Sequence, residues 1–312
     1  MKIVFLEPIG ISPETIRERF ADITASGHEL MVYPERTEDE DTLIRRASDA
    51  DIVVVSNSPL RKRFFESSAS LKMISVAFTG FDHIDIRSCT ERGITVCNAA
   101  GYSTEAVAEL AFGMMISLVR DFSRGERLVR NGKARGGLIG TELKGKVVGI
   151  AGLGRIGSRV GEIASAFGCK VIGYNRSPKN ILPQVSKEEL LSQSDIISLH
   201  LPLNEDTAGF IDEKAVSLMK DGVVLINTAR GGLLSSEALA KGLESGKIRA
   251  AATDVYESEP PLAPSHPLLK APNLLMLPHM GYATEESFRA RLELMRDNIK
   301  AFLDGHPVNK VC

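Results

Sequence analysis

The sequence predicts an α/β fold made of two doubly wound parallel-sheet domains. Three observations carry this reading. The stretch KGKVVGIAGLGRIGSRVGEIASAFGCKVIGYNRS, residues 144–177, reads as strand, glycine-rich turn, helix, strand. Short apolar runs alternate with polar, helix-like stretches on both sides of it. At 312 residues the chain also exceeds what one hydrophobic core ordinarily serves.

The elements follow in order. Residues 2–6 form the first apolar run and a candidate strand. Ser12-Pro13 starts a helix, with serine as N-cap and proline at the first helical position. Further strands are expected at residues 30–33, 51–55, 73–77 and 95–98. An amphipathic helix rich in Ala, Leu and Met is expected over 103–122, leading from the first domain to the second. The second domain opens with the apolar run 147–151 and the glycine turn. Its later strands are expected at 170–174, 196–200, 223–226, 250–253 and 274–277. Thr284 is a suitable N-cap for a last helix reaching Leu303, and its place after the final strand suggests a return to the first domain. The expected division is residues 1–100 plus 285–312, and residues 101–284.

Composition narrows the function. Hydrophobic residues make up 43% and charged residues 25%, the balance of an ordinary globular protein. A net charge of -2 argues against a nucleic-acid partner held by phosphate neutralisation. The N-terminal MKIVFLEPIG has neither the length nor the cleavage site of a signal peptide. The longest apolar region, 106–119, is interrupted by Glu109 and too short to span a bilayer, so no membrane partner is expected. Cys89, Cys97, Cys169 and Cys312 show no C-x-x-C spacing, which fits unpaired thiols in a cytoplasmic protein with no metal.

The glycine turn is the first candidate site. Gly152, Gly154 and Gly157 stand in the G-x-G-x-x-G pattern directly after an apolar run. The first permits the tight turn, the second lets the backbone approach a pyrophosphate, and the third lets the helix pack on its strand. The helix from Arg155 points free N–H groups and a positive dipole end at the phosphates. About 20 residues further on, such units carry an acid that reads the ribose 2′-hydroxyl. This chain has Asn175, followed by Arg176. A neutral amide beside a guanidinium favours NADP over NAD, because arginine pairs with a 2′-phosphate.

Three further segments each follow an expected strand of the second domain: INTARGG (226–232), TDVYESEPP (253–261) and LPHMGYAT (277–284). Strand C-termini line the ligand crevice in open α/β sheets, so Arg230, Asp254, Glu259 and His279 should converge there.

With these segments the sequence resembles the D-isomer-specific 2-hydroxyacid dehydrogenase family over nearly its full length. The motifs are TGFDHID (79–85), YSTEAVAEL (102–110), GLGRIG (152–157), NTARGG (227–232), DVYESEP (254–260) and PHMGYAT (278–284). The resemblance implies two Rossmann-like domains with the active site in the cleft between them, and a homodimer joined through the nucleotide-binding domains. It implies that Arg230, Glu259 and His279 are the catalytic arginine, glutamate and histidine. It places the cofactor against Thr104, Gly152, Gly154, Arg155, Ile156, Gly157, Asn175, Arg176, Thr228, Ala229 and Asp254, the last beside the nicotinamide carboxamide. Backbone groups around Thr79 and Gly80 resemble the family's second anchor for the substrate carboxylate, beside Arg230 and His279.

The chemistry supports these roles independently. Reducing a 2-oxo acid needs a proton on the carbonyl oxygen as hydride reaches carbon, and histidine suits a general acid. A nearby carboxylate orients the ring and favours its protonated form. Arginine presents a planar fork to the substrate carboxylate and carbonyl. On residue type alone Glu257 competes with Glu259, and the family's spacing selects Glu259. His83 and His200 read as structural, while His28, His266 and His306 lie in loops without a motif. Thr104 and Thr228 could equally cap a helix or turn. The loop SNSPL (56–60) should face the cleft. Tyr282 stands where the family often has a small residue.

The expected function is reduction of a small 2-oxo acid such as glyoxylate or hydroxypyruvate. Phosphoglycerate oxidation is the nearest rival. Formate oxidation is disfavoured, since that branch uses glutamine where this chain has Glu259. A reading of another class is an NAD(H)-sensing co-repressor or scaffold of the same fold, against which the lack of docking extensions argues.

Overall fold

The computed structural model describes residues 1–259 and 261–312. It divides into two compact units, Met1–Ser103 with Thr284–Cys312, and Thr104–Ala283.

The first unit is built on five parallel strands: β1 (Lys2–Phe5), β2 (Glu29–Val32), β3 (Ile52–Val55), β4 (Met73–Val76) and β5 (Thr95–Cys97). Their order is β2-β1-β3-β4-β5. Strands β3 and β4 are buried along their whole length, as a parallel sheet covered on both faces requires. Successive side chains alternate between the two faces. Val4, Val53 and Val55 enter one core cluster, and Ile3, Phe5, Ile52 and Val54 enter the other. The C-terminal helix Glu285–Leu303 adds Leu292, Met295 and Ile299 to the second cluster, so the chain does return to this unit. Both expected caps are present: Ser12 accepts from the Thr15 N–H, and Thr284 from the Ser287 N–H.

Two features of this unit escape the sequence pattern. The tail runs antiparallel to β5: the Val311 N–H donates to the Val96 carbonyl at 2.8 Å and the Val96 N–H to the Cys312 carbonyl at 3.2 Å. That covers a sheet edge otherwise open to association. The second is Glu7, 1% exposed just after β1. One of its carboxylate oxygens accepts from the Ser56, Asn57 and Ser58 N–H groups at 2.7–2.8 Å and so fixes the SNSPL loop.

The second unit carries six parallel strands: β6 (Val147–Ala151), β7 (Lys170–Tyr174), β8 (Ile196–Leu199), β9 (Val223–Asn227), β10 (Ile248–Thr253) and β11 (Leu274–Met276). The order is β11-β10-β9-β8-β6-β7. Strand β6 lies between β7 and β8, so the winding reverses there, and the carboxyl edge beside β6 is the expected ligand crevice of a Rossmann-like sheet. The long helix expected over 103–122 ends earlier, as Thr104–Arg120. Asp121 adopts φ 52, a left-handed conformation that short polar side chains tolerate. A separate helix, Phe122–Arg130, follows with no buried residue. Among the described residues, no helix is long and apolar enough to cross a membrane.

Candidate active site

All strands of the second unit run parallel, so the segments that follow them emerge on one edge. The glycine turn leaves β6, Asn175 and Arg176 leave β7, His200 leaves β8, Thr228–Arg230 leave β9, Asp254 leaves β10, and His279 follows β11.

At the turn the three glycines meet different constraints. Gly152 has φ 103, and a Cβ there would lie 2.6 Å from the His200 carbonyl group. A Cβ on Gly157 would lie 2.0 Å from the Gly152 oxygen, so the helix Arg155–Ala166 packs on the turn only because that side chain is missing. Gly154 is the N-cap, with φ -76 and ψ -170; its Cβ would meet nothing within 4 Å, and no side chain caps the helix. An uncapped helix N-terminus with open space at its cap is the arrangement a pyrophosphate fits. Arg155 is exposed on the first turn, and Ile156 packs into the core beside β6. Thr228 keeps a buried hydroxyl with no hydrogen-bond partner among the described residues, a group suited to a ligand. Ala229 is held by its N–H on the Asn227 side-chain oxygen, and Thr104 opens the helix Thr104–Arg120. These residues fit a dinucleotide.

Asn175 is turned toward the glycine loop. Its Oδ1 accepts from the Leu153 N–H at 3.1 Å, and its Nδ2 donates to the Ser177 carbonyl at 2.7 Å. Arg176 pairs with Asp206 at 2.7 Å on the exposed surface. Nothing in the sequence pattern points to Asp206.

The histidine and the glutamate come together. His279 Nδ1 lies 3.0 Å from Glu259 Oε1, both side chains partly open to solvent. His279 itself has φ 56, rare for a residue with a side chain. The Tyr282 ring and the imidazole lie nearly perpendicular, with centroids 5.8 Å apart. Asp254, 1% exposed, accepts from the Met280 N–H at 2.9 Å and the Gly281 N–H at 2.7 Å. Glu257 is engaged elsewhere: both its oxygens accept from the Ser236 hydroxyl at 2.7 Å, and His266 lies 3.8 Å away. The two candidate glutamates are thereby separated.

Arg230 stands at the end of β9, two strands over from β11. Asn227 fixes its backbone, donating from Nδ2 to the Arg230 carbonyl at 2.9 Å. The next residue, Gly231, lies so close to the following segment that a Cβ would fall 1.8 Å from the Tyr256 carbonyl carbon. Tyr256 in turn donates its hydroxyl to the Leu277 carbonyl at 2.8 Å, and burial pushes that phenol up to about 12, so it stays a donor. The segments bearing Arg230, Glu259 and His279 are thus tied through Tyr256. His200 packs under the turn, its Nε2 2.8 Å from the Ser198 hydroxyl, and burial lowers its pKa to about 4.

Thr79 and Gly80 lie in the first unit, after β4. The Thr79 carbonyl accepts from the Asn98 side chain at 2.7 Å. Beside them is a residue that sequence reasoning missed. Arg291, 1% exposed, bonds the Ile9 carbonyl and packs its guanidinium over the rings of Phe288, Phe78 and Tyr102 at 4.8, 5.1 and 5.5 Å.

Comparison with known proteins agrees with this architecture. The model of the D-isomer specific 2-hydroxyacid dehydrogenase NAD binding domain matches residues 112–281. A hydroxypyruvate reductase of Blautia hydrogenotrophica is 35% identical, the match covering all of this chain and 99% of that protein. A D-3-phosphoglycerate dehydrogenase of Methanocaldococcus jannaschii is 38% identical over 87% of this chain, which spans only 53% of that relative. Among solved structures, an acyclic imino acid reductase in complex with NADPH and D-Arg is 31% identical, with a TM-score of 0.92 over the whole of both chains.

Proposed function

The chain belongs to the D-isomer-specific 2-hydroxyacid dehydrogenase family, and from that premise we propose that it interconverts a small 2-oxo acid and its D-2-hydroxy acid, in the manner of a glyoxylate or hydroxypyruvate reductase. It is a nicotinamide-dependent oxidoreductase. The observation that carries the substrate reading is the His279–Glu259 pair, 3.0 Å apart on the sheet edge that also bears the glycine turn.

When bound, the nicotinamide supplies or takes up the hydride. The protein's own groups do the rest. His279 donates its Nδ1–H to Glu259, which leaves Nε2 to hold the proton given to the carbonyl oxygen. Glu259 orients the ring and balances the charge of the imidazolium. Arg230 grips the substrate carboxylate and polarises its carbonyl. In the first unit, backbone N–H groups around Thr79 and Gly80 are proposed as a carboxylate anchor. Gly152, Gly154, Arg155, Ile156 and Gly157 serve the pyrophosphate, and Thr104, Thr228, Ala229 and Asp254 the nicotinamide half.

NADP is favoured over NAD. Position 175 has no carboxylate to repel a 2′-phosphate, and Arg176 is at hand. Asp206 must release that guanidinium, but an exposed pair contributes only about 0–1 kcal/mol, so the exchange is cheap. A homodimer is supported by the helix Phe122–Arg130 and the segment after it, where Phe122, Val129 and Ile139 are 55%, 74% and 80% exposed. The four free thiols support a cytoplasmic setting.

The test is parallel consumption of NADPH and NADH against a panel of 2-oxo acids. Glyoxylate or hydroxypyruvate should be reduced, faster with NADPH at low cofactor concentration. Turnover of none of the panel would overturn the reading. Preference for 3-phosphohydroxypyruvate would move it to the reaction of the phosphoglycerate dehydrogenase relative.

A further inference from the structure

We propose that Asn98 is a positioning residue for the substrate carboxylate: with Asn298 and Asn309 behind it, it aims the Thr79 and Gly80 N–H groups at the anion. This rests on the reading of those two N–H groups as a carboxylate anchor.

The argument turns on the planarity of the peptide group. In a trans peptide the C=O and the following N–H lie in one plane and point in opposite directions, so holding the carbonyl aims the N–H. The Phe78 carbonyl accepts from the Ala99 N–H at 3.0 Å, which fixes the Thr79 N–H. The Thr79 carbonyl accepts from Asn98 Nδ2 at 2.7 Å, which fixes the Gly80 N–H. Both N–H groups are thereby turned away from the segment after β5. Among the described residues neither has an acceptor, so both are left for a ligand. Thr79 is exposed and Gly80 half-buried, which keeps the pair within reach of solvent. Consecutive N–H groups held in this way bind an anion such as a carboxylate.

Asn98 can do this because it is itself held on every side. It is 6% exposed, and its Oδ1 accepts from the Ala100 N–H at 3.4 Å. Its own N–H donates to the Asn309 carbonyl at 3.2 Å. Its carbonyl accepts from Nδ2 of Asn298, a fully buried residue of the C-terminal helix, at 3.0 Å. Asn309 Nδ2 closes the ring on Asn298 Oδ1 at 2.8 Å. A buried amide network with its partners in place is rigid, and it admits one orientation of the Asn98 side chain. The helix and the tail that return to the first unit thus brace the loop proposed to hold the substrate. The Arg291 guanidinium, 5.1 Å over the Phe78 ring, fixes the same loop through a side chain.

The experiment compares the full-length protein with Asn98→Ala, saturated with NADPH. A carboxylate is gripped alike in ground state and transition state, so losing part of that grip raises KM and spares kcat. KM for the 2-oxo acid that is turned over should rise about 10-fold, the scale of one hydrogen bond to a charged group. The Kd for NADPH should stay at the native value. The methyl ester of the same acid lacks the anion, so the acid-to-ester ratio of kcat/KM should fall by about the same factor. A native KM, or an unchanged ratio in a variant that weakens acid and ester alike, would overturn the positioning role. The reading beneath it has its own check: oxamate, an unreactive analogue with the same carboxylate, should shift the Thr79 and Gly80 amide signals of the native protein in NMR spectra. Unmoved signals remove the anchor itself, whereas shifted signals beside a native KM in Asn98→Ala remove only the role of Asn98. Asn309→Gly decides the matter where Asn98→Ala does not fold. Asn309 has φ 52, which glycine adopts freely, so the carbonyl stays on Asn98 and only the bond to Asn298 is lost. KM should then rise about 3-fold, and a native KM with a native acid-to-ester ratio would overturn the proposal.

Discussion

Replacing Gly154 by alanine separates a structural glycine from a ligand-binding one. Gly154 sits at φ -76 and ψ -170, which any residue adopts, and its Cβ would meet nothing within 4 Å. The folded chain therefore accepts alanine without a clash. Restricting the unfolded chain contributes about 0.4–1 kcal/mol of stability. Losing glycine from an N-cap position costs a comparable roughly 0.5–1 kcal/mol. The two effects offset, and since 1 kcal/mol moves the midpoint of a unit this size by about 2–4 °C, Tm without ligand should stay within about 2 °C of the native value. The open space is where the pyrophosphate approaches, and a methyl group there costs at least one charge-assisted hydrogen bond, about 1.5–3 kcal/mol. That is about a 10- to 100-fold rise in the Kd for NADPH. The assay is thermal unfolding with and without NADPH, backed by direct titration; the upward shift in Tm on binding should shrink. Gly157→Ala is the contrast. Its Cβ would lie 2.0 Å from a backbone oxygen, so it should lower Tm in the absence of any ligand. Native NADPH affinity in a well-folded Gly154→Ala would refute the assignment of the glycine turn to the cofactor.

The remaining predictions concern the support of the site. Gly231→Ala forces a methyl group into the Tyr256 backbone, where no rotamer can relieve it. A loss of about 1–3 kcal/mol in stability should accompany a large drop in kcat/KM, and an unchanged Tm and rate would contradict the tie between the Arg230 and Glu259 segments. Arg176→Ala should weaken NADPH binding while leaving NADH binding alone; equal shifts would remove the phosphate-pairing argument. His200 gives a pH signature. Its pKa is about 4 folded against 6.5 for a free ring, so between these values the unfolded chain binds more protons. The stabilisation is complete above pH 6.5 and lost as pH falls toward 4, on the order of 3 kcal/mol over that window. Urea midpoints measured at pH 7 and pH 5 should converge in His200→Gln relative to the native chain, and parallel pH dependence in the two would contradict the buried neutral ring.

What was legible in the sequence, and what was not, divides on physical grounds. Runs such as Ile52–Val55 and Val147–Ala151 are apolar because both faces of a parallel sheet are covered, so pattern alone locates them to within a residue or two. The glycine turn was legible because backbone geometry dictates residue type at Gly152 and Gly157. The break at Asp121 was not, since aspartate enters helices and left-handed turns alike. The tail beside β5 was not, because NKVC carries no alternation and its pairing joins residues more than two hundred positions apart. At the site, sequence could name histidine, arginine and two glutamates, but residue type did not choose between Glu257 and Glu259. Folding brings the Ser236 hydroxyl onto Glu257 and the His279 ring onto Glu259, contacts that no residue pattern announces. Glu7, Asp206 and Arg291 were invisible for the same reason. A lone charged residue acquires meaning only from partners that tertiary packing supplies, such as the three N–H groups on Glu7 or the three rings around Arg291.

The measurement that bears most directly on the whole account is the turnover of His279→Ala with a reducible 2-oxo acid, taken together with its affinity for NADPH. Reduction should be abolished while NADPH binds as tightly as to the native chain. Turnover comparable to native would mean that the imidazole held by Glu259 does not deliver the proton.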